Sequence, residues 1–203
     1  NTIPERYQKD ALNDGYFAKL RNEYKYLAHK FNLTPMDYRL WRFLRLRPQN
    51  FPHIRISQMA HLYYQRKAGL SQLVEAASVE NAKKVLATAV TPYWETHYTF
   101  GSTSVRNDKN LSPFSLNLLC INTVVPILFA YGRHRGEEKY CDRAFDFLEQ
   151  LRPENNYIIR LWQQCGLVVD NAGDSQALIQ LKKEYCDKKE CLRCRFGYEY
   201  LKL

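Results

Sequence analysis

Three cysteines lie close together near the C-terminus, at positions 186, 191 and 194, in the stretch YCDKKECLRCRFG. Thiolates are ligands of zinc, and the Cys-x2-Cys spacing of Cys191 and Cys194 lets two of them reach one ion. The lysines and arginines around them should favour the thiolate form. A tetrahedral site needs a fourth ligand, for which Cys165, Cys141, Cys120 and His134 are candidates. We expect Cys165, because it ends the neighbouring predicted helix. The spacing therefore predicts a structural zinc site.

Other roles for these cysteines stay open. The six cysteines of the chain could form disulfides, but a chain of 203 residues does not need them for stability. Free cysteines also behave as small apolar side chains and could seat the tail against Leu181 and Tyr185. The tail distantly resembles the iron–sulfur loop of helix-hairpin-helix DNA glycosylases, although the loop spacing differs and the fourth nearby cysteine is absent.

A second candidate site is the arginine segment, residues 38–74, which contains no Asp or Glu. Arginine forms bidentate hydrogen bonds with phosphate, and flat side chains such as Trp41 can stack on bases. A helix that begins near Ile54 would add free backbone N–H groups for an anion. Seven of the nine excess positive charges come from this segment: Arg39, Arg42, Arg45, Arg47, Arg55, Arg66 and Lys67, with His53 and His61 beside them.

The arginine segment therefore predicts an anion-binding site, to which we assign Arg42, Arg45, Arg47 and Arg55. The partner would be nucleic acid, a phosphorylated ligand or an acidic domain of the same protein. The alternative is that Trp41, Leu44, Phe51 and Met59 are core, while the arginines are solvated or paired with acids such as Glu137 and Glu138.

No motif in the sequence specifies a reaction. A Gly-rich phosphate loop, Gly-x-Ser-x-Gly and His-Glu-x-x-His are all absent from it. Glu95 and His97 could form an acid–base pair, but residues two apart do not share a helix face, so this requires an extended loop.

The apolar spacing is helical almost throughout, as in the stripe Phe17, Leu20, Tyr24, Leu27 and Phe31. Apolar residues make up 45% of the chain and charged residues 25%, which is the balance of an ordinary globular protein. Residues 116–131 form the longest apolar run and, because polar residues and Pro126 interrupt it, predict a core helix rather than a membrane span. Residues 91–111 predict a long irregular connection. We therefore expect a single all-α domain over residues 1–203, an irregular bundle or helical array of eight or nine helices.

Four phrases of the sequence carry a family resemblance: EYKYLAHKFNLTPM, WRFLRLRPQNFPHIRISQMAHL, CINTVVPILFAYG and DSQALIQLKKEYCDKKECLRCRFG. They resemble the carboxyl-terminal half of a bacterial family, found mainly in Bacteroidetes and named domain of unknown function 2851. The resemblance implies a cytoplasmic protein with a further amino-terminal region before Asn1. No activity can be transferred from this family. In a reducing cytoplasm disulfides are disfavoured.

Two functional hypotheses follow. The first is a nucleic-acid-associated protein that uses the arginine segment. The second is a structural or interaction module, without activity of its own, whose basic face docks the missing amino-terminal region. Neither hypothesis involves a membrane.

Overall fold

The computed structural model describes residue 11 and residues 13–65 and 69–201, and in them the fold is all-α, as predicted. Ten helices and one small two-stranded sheet make up its regular structure. By their internal contacts the described residues fall into two compact units: unit 1 contains 11–65 and 87–111, and unit 2 contains 69–86 and 112–201. The single domain over 1–203 stays a prediction, and Arg66 and Lys67 lie outside the described residues.

Unit 1 contains three helices and the hairpin: α1 (Gly15–Phe31), α2 (Pro52–Tyr64), α5 (Pro92–Glu95), β1 (His97–Thr99) and β2 (Ser102–Thr103). The strands are antiparallel, with His97 opposite Thr103. Two 3-10 turns, Tyr38–Leu40 and Pro48–Asn50, lie between α1 and α2.

The core of unit 1 is aromatic and centres on Ile54, Val90, Trp94 and Phe100. The Asp14 carboxylate connects α1 to the hairpin, because it accepts hydrogen bonds from the backbone N–H of Tyr16, at 2.8 Å, and of Gly101, also at 2.8 Å. No side chain of α1 is fully buried, so its predicted apolar stripe packs only in part.

Lys109 closes the loop that follows the hairpin. Its ammonium group donates to the backbone carbonyls of Trp94, Glu95 and His97, the last two at 3.0 Å, and it lies 4.0 Å from the centre of the Tyr98 ring. The predicted irregular stretch 91–111 is thus partly ordered as a short helix and a hairpin, and residues 104–111 are held by a buried lysine.

Unit 2 contains the other seven helices: α3 (Leu70–Glu75), α4 (Val79–Leu86), α6 (Pro113–Arg135), α7 (Glu138–Gln150), α8 (Tyr157–Gln164), α9 (Ala172–Leu181) and α10 (Arg195–Leu201). The Ser112 hydroxyl accepts the Ser115 N–H at 3.1 Å and caps α6, and Pro113 occupies its first position, a pair typical of helix starts.

Helix α6 is the central helix of unit 2. A π turn at Cys120–Val124 adds a residue to its helical repeat. The helix contributes five side chains to the buried core, where they lie with Phe147 and Leu151 of the α7 region: Cys120, Ile121, Val124, Val125 and Leu128. Of the helices in the described residues, α6 alone is long and apolar enough to span a membrane, by length and composition only. The helix extends beyond the predicted apolar run of residues 116–131 at both ends.

Candidate functional site

Three of the four predicted site residues of the arginine segment lie at the surface. Arg42, Arg45 and Arg47 are exposed and lie in the irregular stretch between the two 3-10 turns. Phe43 lies between them in sequence and is buried, with its ring centre 5.5 Å from that of Phe51. An inward phenylalanine thus anchors the stretch and leaves the arginines in solvent.

Arg45 has a backbone φ of +64°, which is uncommon for a residue with a side chain. Such left-handed residues concentrate at turns and at functional sites, where the surroundings hold them in place. Here the turn follows Phe43, whose carbonyl accepts the Leu46 N–H at 3.3 Å.

Arg55, the fourth predicted site residue, has a different environment. It is half-buried in the first turn of α2, and its guanidinium donates to the side chains of Gln58, at 2.9 Å, and Asn50, at 2.6 Å. Burial lowers the pKa of Arg55 from its usual value, but a guanidinium stays protonated in proteins. Arg55 therefore positions the Pro48–Asn50 turn and retains free donors.

Carboxylates do not neutralise the exposed arginines. Within the described part of the chain, Arg42, Arg45 and Arg47 form no ion pair. Glu137, named above as an alternative partner, instead pairs with Lys139 at 2.6 Å and with Arg135 at 3.6 Å.

Two further details of this segment bear on anion binding. His53 is neutral, because burial lowers its pKa to about 4. Helix α2 begins at Pro52, and the N–H groups of Ile54 and Arg55 already donate to the Phe51 carbonyl, at 3.0 and 3.2 Å. The start of α2 therefore offers fewer free N–H groups to an anion than the sequence suggested.

Exposed leucines alternate with the arginines, a feature that sequence reasoning missed. Leu40, Leu44 and Leu46 are all exposed, and Leu44 is 79% exposed. The signal was present in the sequence RLWRFLRLR, in which Leu and Arg alternate around Phe43. Helix α1 adds further exposed apolar side chains: Leu20, Tyr24, Tyr26 and Phe31.

Glu95 and His97 bind different partners in unit 1. Glu95 forms an ion pair with Arg106 at 2.7 Å. The His97 ring stacks on Tyr93 with centres 3.9 Å apart, and its Nδ1 lies 2.8 Å from the Tyr93 carbonyl oxygen. These contacts fix Glu95 at the end of α5 and His97 in the hairpin, and they do not pair the two side chains as acid and base.

The three tail cysteines come together in unit 2. Cys186, Cys191 and Cys194 line one pocket of about 280 Å³, whereas Cys165 is exposed and is not among the lining residues. Cys165 follows α8 directly, as predicted. Among the described residues, no three His, Cys, Asp or Glu side chains are arranged to hold a metal ion.

The basic residues of the tail do not act on the thiols as expected. Lys188 pairs with Glu184, Arg193 with Glu190 at 2.8 Å, and Arg195 with Glu199 at 3.6 Å. Burial raises the pKa of the Cys186 thiol, and the neighbouring Cys194 and Cys191 raise it further. The thiol form of Cys186 is thus favoured, because burial and the neighbouring cysteines disfavour the thiolate.

A family model matches residues 6–157, three quarters of the chain. The chain belongs to the family described as protein of unknown function DUF2851. The match includes the arginine segment and ends before Cys165 and the cysteine tail. It does not support the narrower assignment to the carboxyl-terminal half of the family. No curated protein and no solved structure matches the chain.

Proposed function

We propose that the arginine segment of this DUF2851 protein binds nucleic acid through its phosphate backbone. One observation carries the proposal: Arg42, Arg45 and Arg47 are exposed, and they have no carboxylate partner among the residues that the structure describes. Unpaired arginines in a segment without Asp or Glu attract polyanions and bind phosphate with paired N–H groups.

The local backbone supports this role. Phe43 packs at 5.5 Å from Phe51 and at 5.3 Å from His53, so the arginines extend from a stretch that is fixed to the core of unit 1. A fixed stretch loses little conformational entropy on binding. Arg55 is oriented by Asn50 and Gln58 and adds a fourth cation beside the same stretch.

Fluorescence anisotropy with labelled DNA and RNA, between about 50 and 300 mM salt, tests the proposal. Each phosphate contact contributes about 0.9 to the slope of log K against log salt for duplex DNA. Replacing Arg42, Arg45 and Arg47 by Ala should weaken binding and reduce that slope by about one per lost contact.

The control carries the same change in net charge, with three exposed basic residues of unit 2 replaced by Ala: Lys84, Arg133 and Arg152. It should bind almost as the wild type does. Equal weakening by both triple variants, or absence of binding at low salt, would contradict the proposal.

A second candidate function is docking of a protein segment. The exposed apolar side chains of α1 favour it, because contiguous apolar surface is a mark of protein interfaces. Replacing Leu20 and Tyr24 by Ser should then abolish association with protein partners that the wild-type chain binds. The association should also depend weakly on salt, which separates it from binding to nucleic acid.

A further inference from the structure

The last helices of unit 2 form a pocket that is lined in part by three cysteine side chains. Helix α9 continues into a π turn, Lys182–Cys186, and the chain then folds back on itself. The Glu190 N–H donates to the Tyr185 carbonyl at 2.9 Å, and the Cys194 N–H donates to the Glu190 carbonyl at 3.1 Å. These bonds bring the three tail cysteines to one pocket.

The walls of this pocket are apolar and include Trp162, Leu178 and Leu181. The indole N–H of Trp162 is already used, because it donates to the Leu178 carbonyl at 3.1 Å. The cysteine sulfurs are therefore the groups of the lining that are best able to bind a ligand, and they would select a soft metal ion.

Gly197 fixes the position of Cys191. A Cβ atom at position 197 would lie 2.4 Å from the Cys191 carbonyl oxygen, so only glycine permits α10 to pack this closely. The Tyr198 N–H also donates to the Cys194 carbonyl at 2.7 Å. Helix α10 thus holds both cysteines of the Cys-x2-Cys pair by their backbone.

Cys165 lies on a turn at the edge of the same pocket. Trp162 and Leu167, on either side of it in sequence, both line the pocket, and the Leu167 N–H donates to the Trp162 carbonyl at 3.2 Å. Cys165 is exposed and does not itself line the pocket, so its binding to an ion there requires a change of side-chain rotamer.

We propose that Cys186, Cys191 and Cys194 bind one Zn²⁺ ion at this pocket, with Cys165 as the fourth ligand. The ion would connect the C-terminal segment to α9 and to the end of α8, which is the role of a closed structural site. The proposal concerns unit 2 and is independent of nucleic-acid binding by unit 1.

Zinc binding must change the thiols in two ways. The sulfurs have to move together, since no three ligand side chains of the described residues are arranged for a metal beforehand. The thiols also have to lose their protons, because zinc binds the thiolate form of cysteine. Zinc affinity should therefore fall as the pH is lowered.

Elemental analysis of the full chain, purified without chelator, should find one zinc per chain. Titration of the metal-free protein with Co²⁺ should give the intense absorption of thiolate-to-cobalt charge transfer. Single Ser variants of Cys186, Cys191, Cys194 and Cys165 should each lose Zn²⁺ affinity, whereas Cys141→Ser, a half-buried residue of α7, should retain it.

Cys186 and Cys191 are exposed, so their Ser variants test the site without disturbing the core. Circular dichroism of each variant confirms its fold. Failure to take up Zn²⁺ or Co²⁺, iron with sulfide in place of zinc, or a disulfide among the tail cysteines would overturn the proposal. Unchanged affinity in Cys165→Ser would overturn its assignment as the fourth ligand.

Discussion

The buried His53 should make the stability of unit 1 depend on pH. Its side chain is 8% exposed and lies among the rings of Phe43, at 5.3 Å, Trp94, at 5.7 Å, and Phe100, at 5.3 Å. Its Nδ1 has no hydrogen-bond partner in the described structure. Burial among these rings disfavours the charged imidazolium, which lowers the pKa of His53 from 6.5 to about 4.

The sign and size of the effect follow from linkage. Between pH 6.5 and 4 the unfolded chain takes up a proton at His53 and the folded chain does not, so acidification favours unfolding. Stability that is fully present above pH 6.5 is lost as the pH falls towards 4. At about 1.4 kcal/mol per pH unit, the difference between the two pKa values amounts to about 3 kcal/mol.

Urea unfolding at several pH values between 7.5 and 4, followed by tryptophan fluorescence, measures this effect. His53→Phe keeps a flat apolar ring and removes the titration, so its stability should fall less on acidification than that of the wild type, by about 3 kcal/mol at pH 4. His29→Phe, at an exposed position of α1, is the control and should follow the wild type. Parallel pH profiles for the wild type and His53→Phe would refute the reasoning.

Two further substitutions test the packing of each unit. Lys109→Met should destabilise unit 1 by about 2 kcal/mol, because three backbone carbonyls lose their donor, and Lys19→Met on the exposed face of α1 should change the urea midpoint little. Gly132→Ala should destabilise unit 2 by about 1–2 kcal/mol, because the new Cβ would lie 2.8 Å from the Cys141 Sγ. Gly15→Ala, which meets no atom within 4 Å, should be neutral or stabilising in the same assay.

The sequence determined the helical class and several helix ends. Asn32 adopts the left-handed conformation that ends α1, and Ser112 caps α6, and both residue types are typical of these positions. These features depend on hydrogen bonds and backbone preferences within a few residues, so the local sequence is sufficient to predict them. The spacing of Cys186, Cys191 and Cys194 likewise predicted that they would lie together, because one short turn connects them.

Tertiary structure alone decided which of these residues carry charge and which are exposed. The sequence could not show that His53 is buried and neutral, or that Lys109 is held by three carbonyls of the preceding helix and hairpin. It also assigned Leu20 to a core-facing stripe that the fold leaves largely in solvent. The physical reason is that burial and ion pairing depend on which elements pack against each other, and a periodic pattern identifies an apolar face without identifying what covers it.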